Sequence, residues 1–184
     1  TLPASPNVCL GTPIIFSASD FTTQGSSLSY NWDYKDGITE PGNGLSHTFA
    51  SPGTYIVKVY YTEVATGCND STINTVTVQD YPHAGYFTDV DGLTVLCNPQ
   101  IINFTDTSTV GAYSMPLTQT WDFGNGGSLI PGATPTYVFS KGTHSVKMTS
   151  ITTNGCTDDT TKTFVVVGPA GDFDMDTTNI CKGD

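Results

Sequence analysis

Apolar residues come in short alternating runs: in TYIVKVYYT (54–62) Val57 and Val59 flank Lys58, and in HSVKMTSIT (144–152) Val146 and Met148 flank Lys147. A period of two puts alternate side chains on opposite faces of an extended strand, so one face is buried and the other wet. Long helical periods are missing, and Gly, Pro, Asn and Asp interrupt the runs every few residues. The pattern predicts strands near residues 13–18, 28–34, 46–50, 54–62 and 71–79, a weaker one before Cys9, and the same set again further on. The fold class is therefore all-β, with tandem β-sandwiches of about seven short strands each. KDG (35–37), SPGT (51–54) and GNGG (124–127) supply the residues that tight turns need. No helix is expected behind them to make a phosphate cradle.

The second set of strands is a true repeat. Trp32 recurs as Trp121 at a shift of 89, while Cys9 and Cys68 recur as Cys97 and Cys156 at a shift of 88. YNWDYKDG (30–37) answers to QTWDFGNG (119–126), and TGCNDST (66–72) to NGCTDDTT (154–161). PAGDFDMDTTNIC (169–181) resembles the opening of the second unit, HAGYFTDVDGLTVLC (83–97). The expected organisation is one unit over 1–80, a second over 81–168, and the start of a third over 169–184. Each unit places its tryptophan in mid-strand, where Trp32 and Trp121 are expected in the core with the indole N–H bonded.

Within each unit the two cysteines are 59 residues apart, which favours Cys9 with Cys68 and Cys97 with Cys156. Sequence alone leaves the other pairings open. Cys181 is then the first cysteine of the third unit, with its partner about sixty residues further on; a free thiol or an intermolecular bridge is the alternative. Each bridge would restrict the unfolded chain by about 4 kcal/mol in the entropic picture. Paired cysteines also imply an oxidising, extracytoplasmic compartment. Their spacing does not suit zinc, which takes close cysteine pairs.

WDYKDG and WDFGNG are followed by SHTFASPGTYIVKV or TYVFSKGTHSVKM, and then by a last strand ending TVTV or FVVV. Together these motifs resemble the PKD (polycystic kidney disease) domain, an immunoglobulin-like sandwich, twice over nearly the whole chain. Two departures fall in one turn: Tyr34 and Lys35 stand where the family usually has Phe-Gly, and Asn125 replaces Asp. The TGC and NGC motifs with their upstream cysteines resemble the repeats of very large cell-surface proteins of Bacteroidota, including gliding adhesins exported by the type IX secretion system. That resemblance implies a structural or adhesive segment of an extracellular stalk or filament. Its partners would be neighbouring repeats of the same chain, and a surface polysaccharide or protein ligand. The rival readings are an accessory module of a secreted hydrolase and a receptor ectodomain.

Charge narrows the partners further. The 184 residues carry a net charge of −11 with six lysines and no arginine, so a nucleic-acid backbone would be repelled. No apolar run is long enough to span a bilayer, and neither a basic start nor an apolar leader core is present. The chain reads as an excised piece of something longer, with no membrane insertion in this segment.

Catalytic residues are not expected. His47, matched by Tyr137 in the second unit, reads as structural; His83 lies in a linker and His144 in a strand, and Glu40 and Glu63 occupy unrelated contexts. No cofactor is expected beyond calcium, for which Asp89, Asp91, Asp172, Asp174 and Asp176 near the linkers are the candidate ligands, since alternating carboxylates suit a hard cation. The alternative is that DFDMD (172–176) presents its carboxylates on the wet face of a strand. DST (70–72), DTT (159–161) and DTT (176–178) resemble the O-glycosylation signal of exported Bacteroidota proteins, with Ser71, Thr160 and Thr177 as acceptors. NDS (69–71) and NFT (103–105) are formal N-glycosylation sequons that matter in a eukaryotic host.

Overall fold

The computed structural model describes residues 6–19, 27–93, 95–113, 117–126 and 130–168. These residues form fifteen strands, and no helix among them is long and apolar enough to cross a membrane. The N-terminal half holds β1 (Asn7–Cys9), β2 (Ile14–Phe16), β3 (Leu28–Asp33), β4 (Thr39–Pro41), β5 (Leu45–His47), β6 (Gly53–Glu63) and β7 (Asn69–Gln79). The C-terminal half holds β8 (Tyr86–Thr88), β9 (Leu96–Cys97), β10 (Gln100–Asp106), β11 (Leu117–Asp122), β12 (Ile130–Pro131), β13 (Thr136–Phe139), β14 (Gly142–Thr152) and β15 (Thr157–Val167).

A five-stranded sheet in the order β1-β7-β6-β3-β4 faces the pair β2-β5 in the N-terminal half. In the C-terminal half β12-β11-β14-β15-β9 faces β13-β10-β8. In each half the short strand that carries the first cysteine runs parallel to the end of the last long strand: Cys9 lies against Gln79, and Cys97 against Val167. The long hairpins β6-β7 and β14-β15 are antiparallel over ten residue pairs each and form the spine of each half.

Alternation along those hairpins builds the interior. Val57, Val59, Val76 and Val78 point inward with Ile14, Phe16, Trp32, Tyr34 and Phe49. Val146, Met148, Phe164 and Val166 do the same with Ile102, Phe104, Trp121, Phe123 and Phe139. At about 1.5–3 kcal/mol for each large apolar side chain fully buried, these two clusters are the main favourable contribution to folding. The Trp32 ring lies 5.5 Å from Phe16, and the Trp121 ring 5.4 Å from Phe104, at tilted angles that place ring edges over faces.

Most predicted strands appear at or near their expected positions. The stretch expected at 46–50 ends as a strand at His47, because Pro52 and its turn follow, yet Phe49 beyond it is still buried. Strands β4 and β12 carried no alternation to read. They are three and two residues long and each ends on a proline.

Candidate functional site at the junction of the two halves

The two ends of each long hairpin are distinct. At one end are the turns Glu63–Asn69 and Thr152–Thr157, with Cys68 and Cys156; at the other end the last strand is joined by the first cysteine. The turns share a Gly-Cys pair, while their backbone hydrogen bonds span four residues in the first and three in the second. Gly67 and Gly155 both have positive φ (74° and 85°), which glycine alone adopts without cost. Gly67 N–H donates to Glu63 O at 2.8 Å, and Gly155 N–H to Thr152 O at 2.9 Å. A threonine hydroxyl then accepts the cysteine N–H: Thr66 Oγ1 from Cys68 at 3.3 Å, and Thr152 Oγ1 from Cys156 at 3.0 Å.

The segment between the halves is seated on the turn end of the C-terminal half. His83 exchanges two backbone hydrogen bonds with Thr109, at 2.9 and 3.0 Å. Ala84 N–H donates to Asp158 Oδ2 at 2.8 Å, one residue past the start of β15. Asp80 lies so near Gly111 that a Cβ there would sit 3.0 Å from the aspartate's own Cβ, a close approach that favours glycine. The exit end of the N-terminal half thus meets the turn end of the C-terminal half.

A disulfide closes this junction. Cys9 is bonded to Cys156, with Cα atoms 5.6 Å apart and a sequence separation of 147. The expected pairings Cys9–Cys68 and Cys97–Cys156 are therefore corrected, and the strand geometry gives the reason. Cys68 immediately precedes the eleven-residue β7, whereas Cys9 lies beside its last residue; Cys156 and Cys97 flank β15 in the same way. At about 3.3 Å per residue those cysteines are roughly 33 Å apart. A disulfide needs Cα atoms within about 7 Å. Cys68 and Cys97 are exposed and unbonded, while Cys156 is buried. Cys181 lies outside the described residues.

The other candidates are distributed as follows. Trp32 and Trp121 are fully buried, and their Nε1–H groups donate to Gly42 O (3.1 Å) and Gly132 O (2.7 Å), two equivalent glycines at positive φ. Asp89 accepts from Asn103 N–H (3.0 Å) and Nδ2 (2.6 Å). Asp91 accepts from Thr88 N–H (3.2 Å) and Oγ1 (2.7 Å) and from Lys162 Nζ (2.6 Å). Both carboxylates are thus committed to protein donors, and no group of three metal-ligating side chains occurs among the described residues. Asp172, Asp174, Asp176 and Thr177 lie outside the described residues. Ser71 and Thr160 lie on β7 and β15, both half-buried.

Burial would raise the Asp91 carboxyl, but hydrogen bonds from Lys162 and Thr88 outweigh it and hold the group below its ordinary value. Burial pushes the neighbouring Tyr86 phenol up to about 12. Its hydroxyl stays protonated, donating to Val146 O at 2.8 Å and accepting from Lys162 N–H at 3.1 Å.

The histidines serve local structure. His47 is buried, stacks on Tyr34 with centroids 3.7 Å apart, and bonds Asp36 Oδ2 through Nε2 at 2.7 Å. In the C-terminal half Tyr137 stacks on Phe123 at 4.3 Å and its hydroxyl accepts from Asn125 Nδ2 at 2.6 Å. The pair Asp36–His47 and the pair Asn125–Tyr137 are two chemical solutions for one place in the fold. His144 Nε2 bonds the Ser140 carbonyl at 2.7 Å.

The PKD domain family profile matches residues 2–78, and the chain contains a PKD domain there. Among solved structures, the PKD1 domain of the Vibrio cholerae metalloprotease PrtV is 28% identical and covers 47% of this chain and 96% of its own, with a TM-score of 0.38. The PKD1 domain of Vibrio anguillarum Epp is 26% identical, covers 50% of this chain and 99% of its own, and scores 0.39. A three-domain immunoglobulin segment of titin, a Glu-to-Ala variant, is 13% identical over 91% of this chain and 64% of its own, with a TM-score of 0.54. This last likeness is one of fold, an immunoglobulin-like β-sandwich. No match was found among curated proteins.

Proposed function

We propose that this chain is a structural, tension-carrying segment of a large extracellular surface protein: PKD-like sandwiches in tandem over 1–80 and 81–168, with a third beginning at 169–184. The setting is a bacterial adhesin stalk or filament of the kind found in Bacteroidota, exported by the type IX system and used in adhesion or gliding. Its immediate partners are neighbouring repeats, and its tip would carry the contact to a polysaccharide or protein ligand. PKD and immunoglobulin-like domains are commonly structural or adhesive modules, and a disulfide accords with an extracellular site.

The observation that carries this reading is the bond joining the halves across a sequence separation of 147. Tension entering at the N-terminus passes along the chain to Cys9, crosses the sulfur bridge to Cys156, and leaves through β15. Residues 10–155, including most strands of both cores, lie in a closed covalent loop that the pull does not load.

Single-molecule stretching of the chain held at its two ends tests this. Reductant should add on the order of 500 Å of extensible length, the contour of the loop at about 3.6 Å per residue. Equal extension with and without reductant refutes the mechanical reading.

A further inference from the structure

Two half-built copies of the junction remain exposed. The shift of 88 that carries Cys9 onto Cys97 and Cys68 onto Cys156 also carries Leu10 onto Asn98 and Gln79 onto Val167. The backbone follows the same shift: Leu10 N–H donates to Gln79 O at 2.8 Å, and Asn98 N–H to Val167 O at 2.9 Å. The surroundings of Cys97 therefore repeat those of Cys9. Cys68 shares with Cys156 a preceding glycine at positive φ and a threonine hydroxyl on the cysteine N–H, supplied by Thr66 in one turn and by Thr152 in the other. Cys9 and Cys156 are bonded to each other, and their equivalents are exposed and unbonded. Cys68 and Cys97 have no route to each other's kind within one unit, because a long strand separates the two positions in each half.

We propose that Cys97 and Cys68 are the open halves of two further staples of the same kind, each completed by an adjacent PKD-like repeat. Cys97, at the exit end of its half, pairs with the Gly-Cys turn of a following repeat, expected 147 residues further along, the separation of the bonded pair. Cys68, in a Gly-Cys turn, pairs with the first cysteine of a preceding repeat. Every repeat is then bonded forward by one cysteine and backward by the other, and no cysteine pairs inside its own repeat. In each closure the two thiols lose two protons and two electrons. The electrons pass by thiol–disulfide exchange to an oxidised dithiol oxidoreductase, whose own disulfide becomes two thiols.

The inference rests on the tandem reading above, and one experiment separates the two. The full-length protein is alkylated on its native cells, digested without reduction, and its cysteine peptides are identified by mass spectrometry. The staple predicts the Cys97 peptide joined to a Gly-Cys turn peptide from downstream and the Cys68 peptide joined to a strand cysteine from upstream, with Cys9 joined to Cys156. Alkylated Cys68 and Cys97, or either joined to a cysteine of its own repeat, overturns the staple while the repeats stand. Flanking peptides without PKD-like sequence overturn the tandem reading and the staple together.

Discussion

Lys35 and Gly124 occupy the same turn, and they show how one backbone is served by two residues. Both have positive φ, 60° and 73°, and both donate their N–H to the aspartate two residues earlier, Asp33 at 3.0 Å and Asp122 at 2.8 Å. Lysine in this region of backbone space carries a steric penalty that glycine avoids. Lys35→Gly should therefore raise the urea midpoint, since the exposed ion pair with Asp33 that it removes contributes little. The reverse change is harsher: a Cβ on Gly124 would lie 2.9 Å from Ser145 O. Gly124→Ala should cost about 1–3 kcal/mol in denaturant titration. At this scale much was legible. The WD motifs marked both buried tryptophans, and the substitution of Phe-Gly by Tyr34-Lys35 pointed at the one non-glycine residue with positive φ among the described residues. Asp89 and Asp91 are held by donors that their spacing does not reveal. Carboxylate spacing says nothing of donors supplied from elsewhere, and Asp91 takes its cation from Lys162, 71 residues away.

That contact also ties the end of β8 to β15, so its titration belongs to the element scale. Asp91 has a depressed value in the fold, so its stabilising contribution is fully present above the ordinary carboxylate value of 3.8 and is lost as pH falls through the lower folded value. Stability should therefore fall below about pH 4 in the native chain, and less steeply in Asp91→Asn; parallel curves from thermal melts would refute it. Long strands were readable because alternation over nine or more residues has few other meanings. Strands β4 and β12 were not, being too short to alternate, and disulfide connectivity was not because the 59-residue spacing is the same in each unit whichever way the sulfurs point. A signal existed. A cysteine just before a long strand and one paired with the strand's far end cannot meet, and the extended length of 71–79 already implied that distance.

For the whole molecule the decisive term is the constraint spanning both cores. Closing a loop of this size should lower the entropy of the unfolded chain by an amount worth up to about 5 kcal/mol, less whatever residual structure removes. Cys9→Ser should lower the free energy of unfolding by no more than that in urea without reductant, and leave both tryptophans buried by fluorescence. The same bridge has a consequence for proteolysis. A protease that hydrolyses one peptide bond anywhere between Cys9 and Cys156 opens a ring rather than severing a thread, and the two pieces stay attached. Singly nicked material should run as one species on a non-reducing gel and as two fragments after reduction. A chain built this way can be cut once without losing either piece.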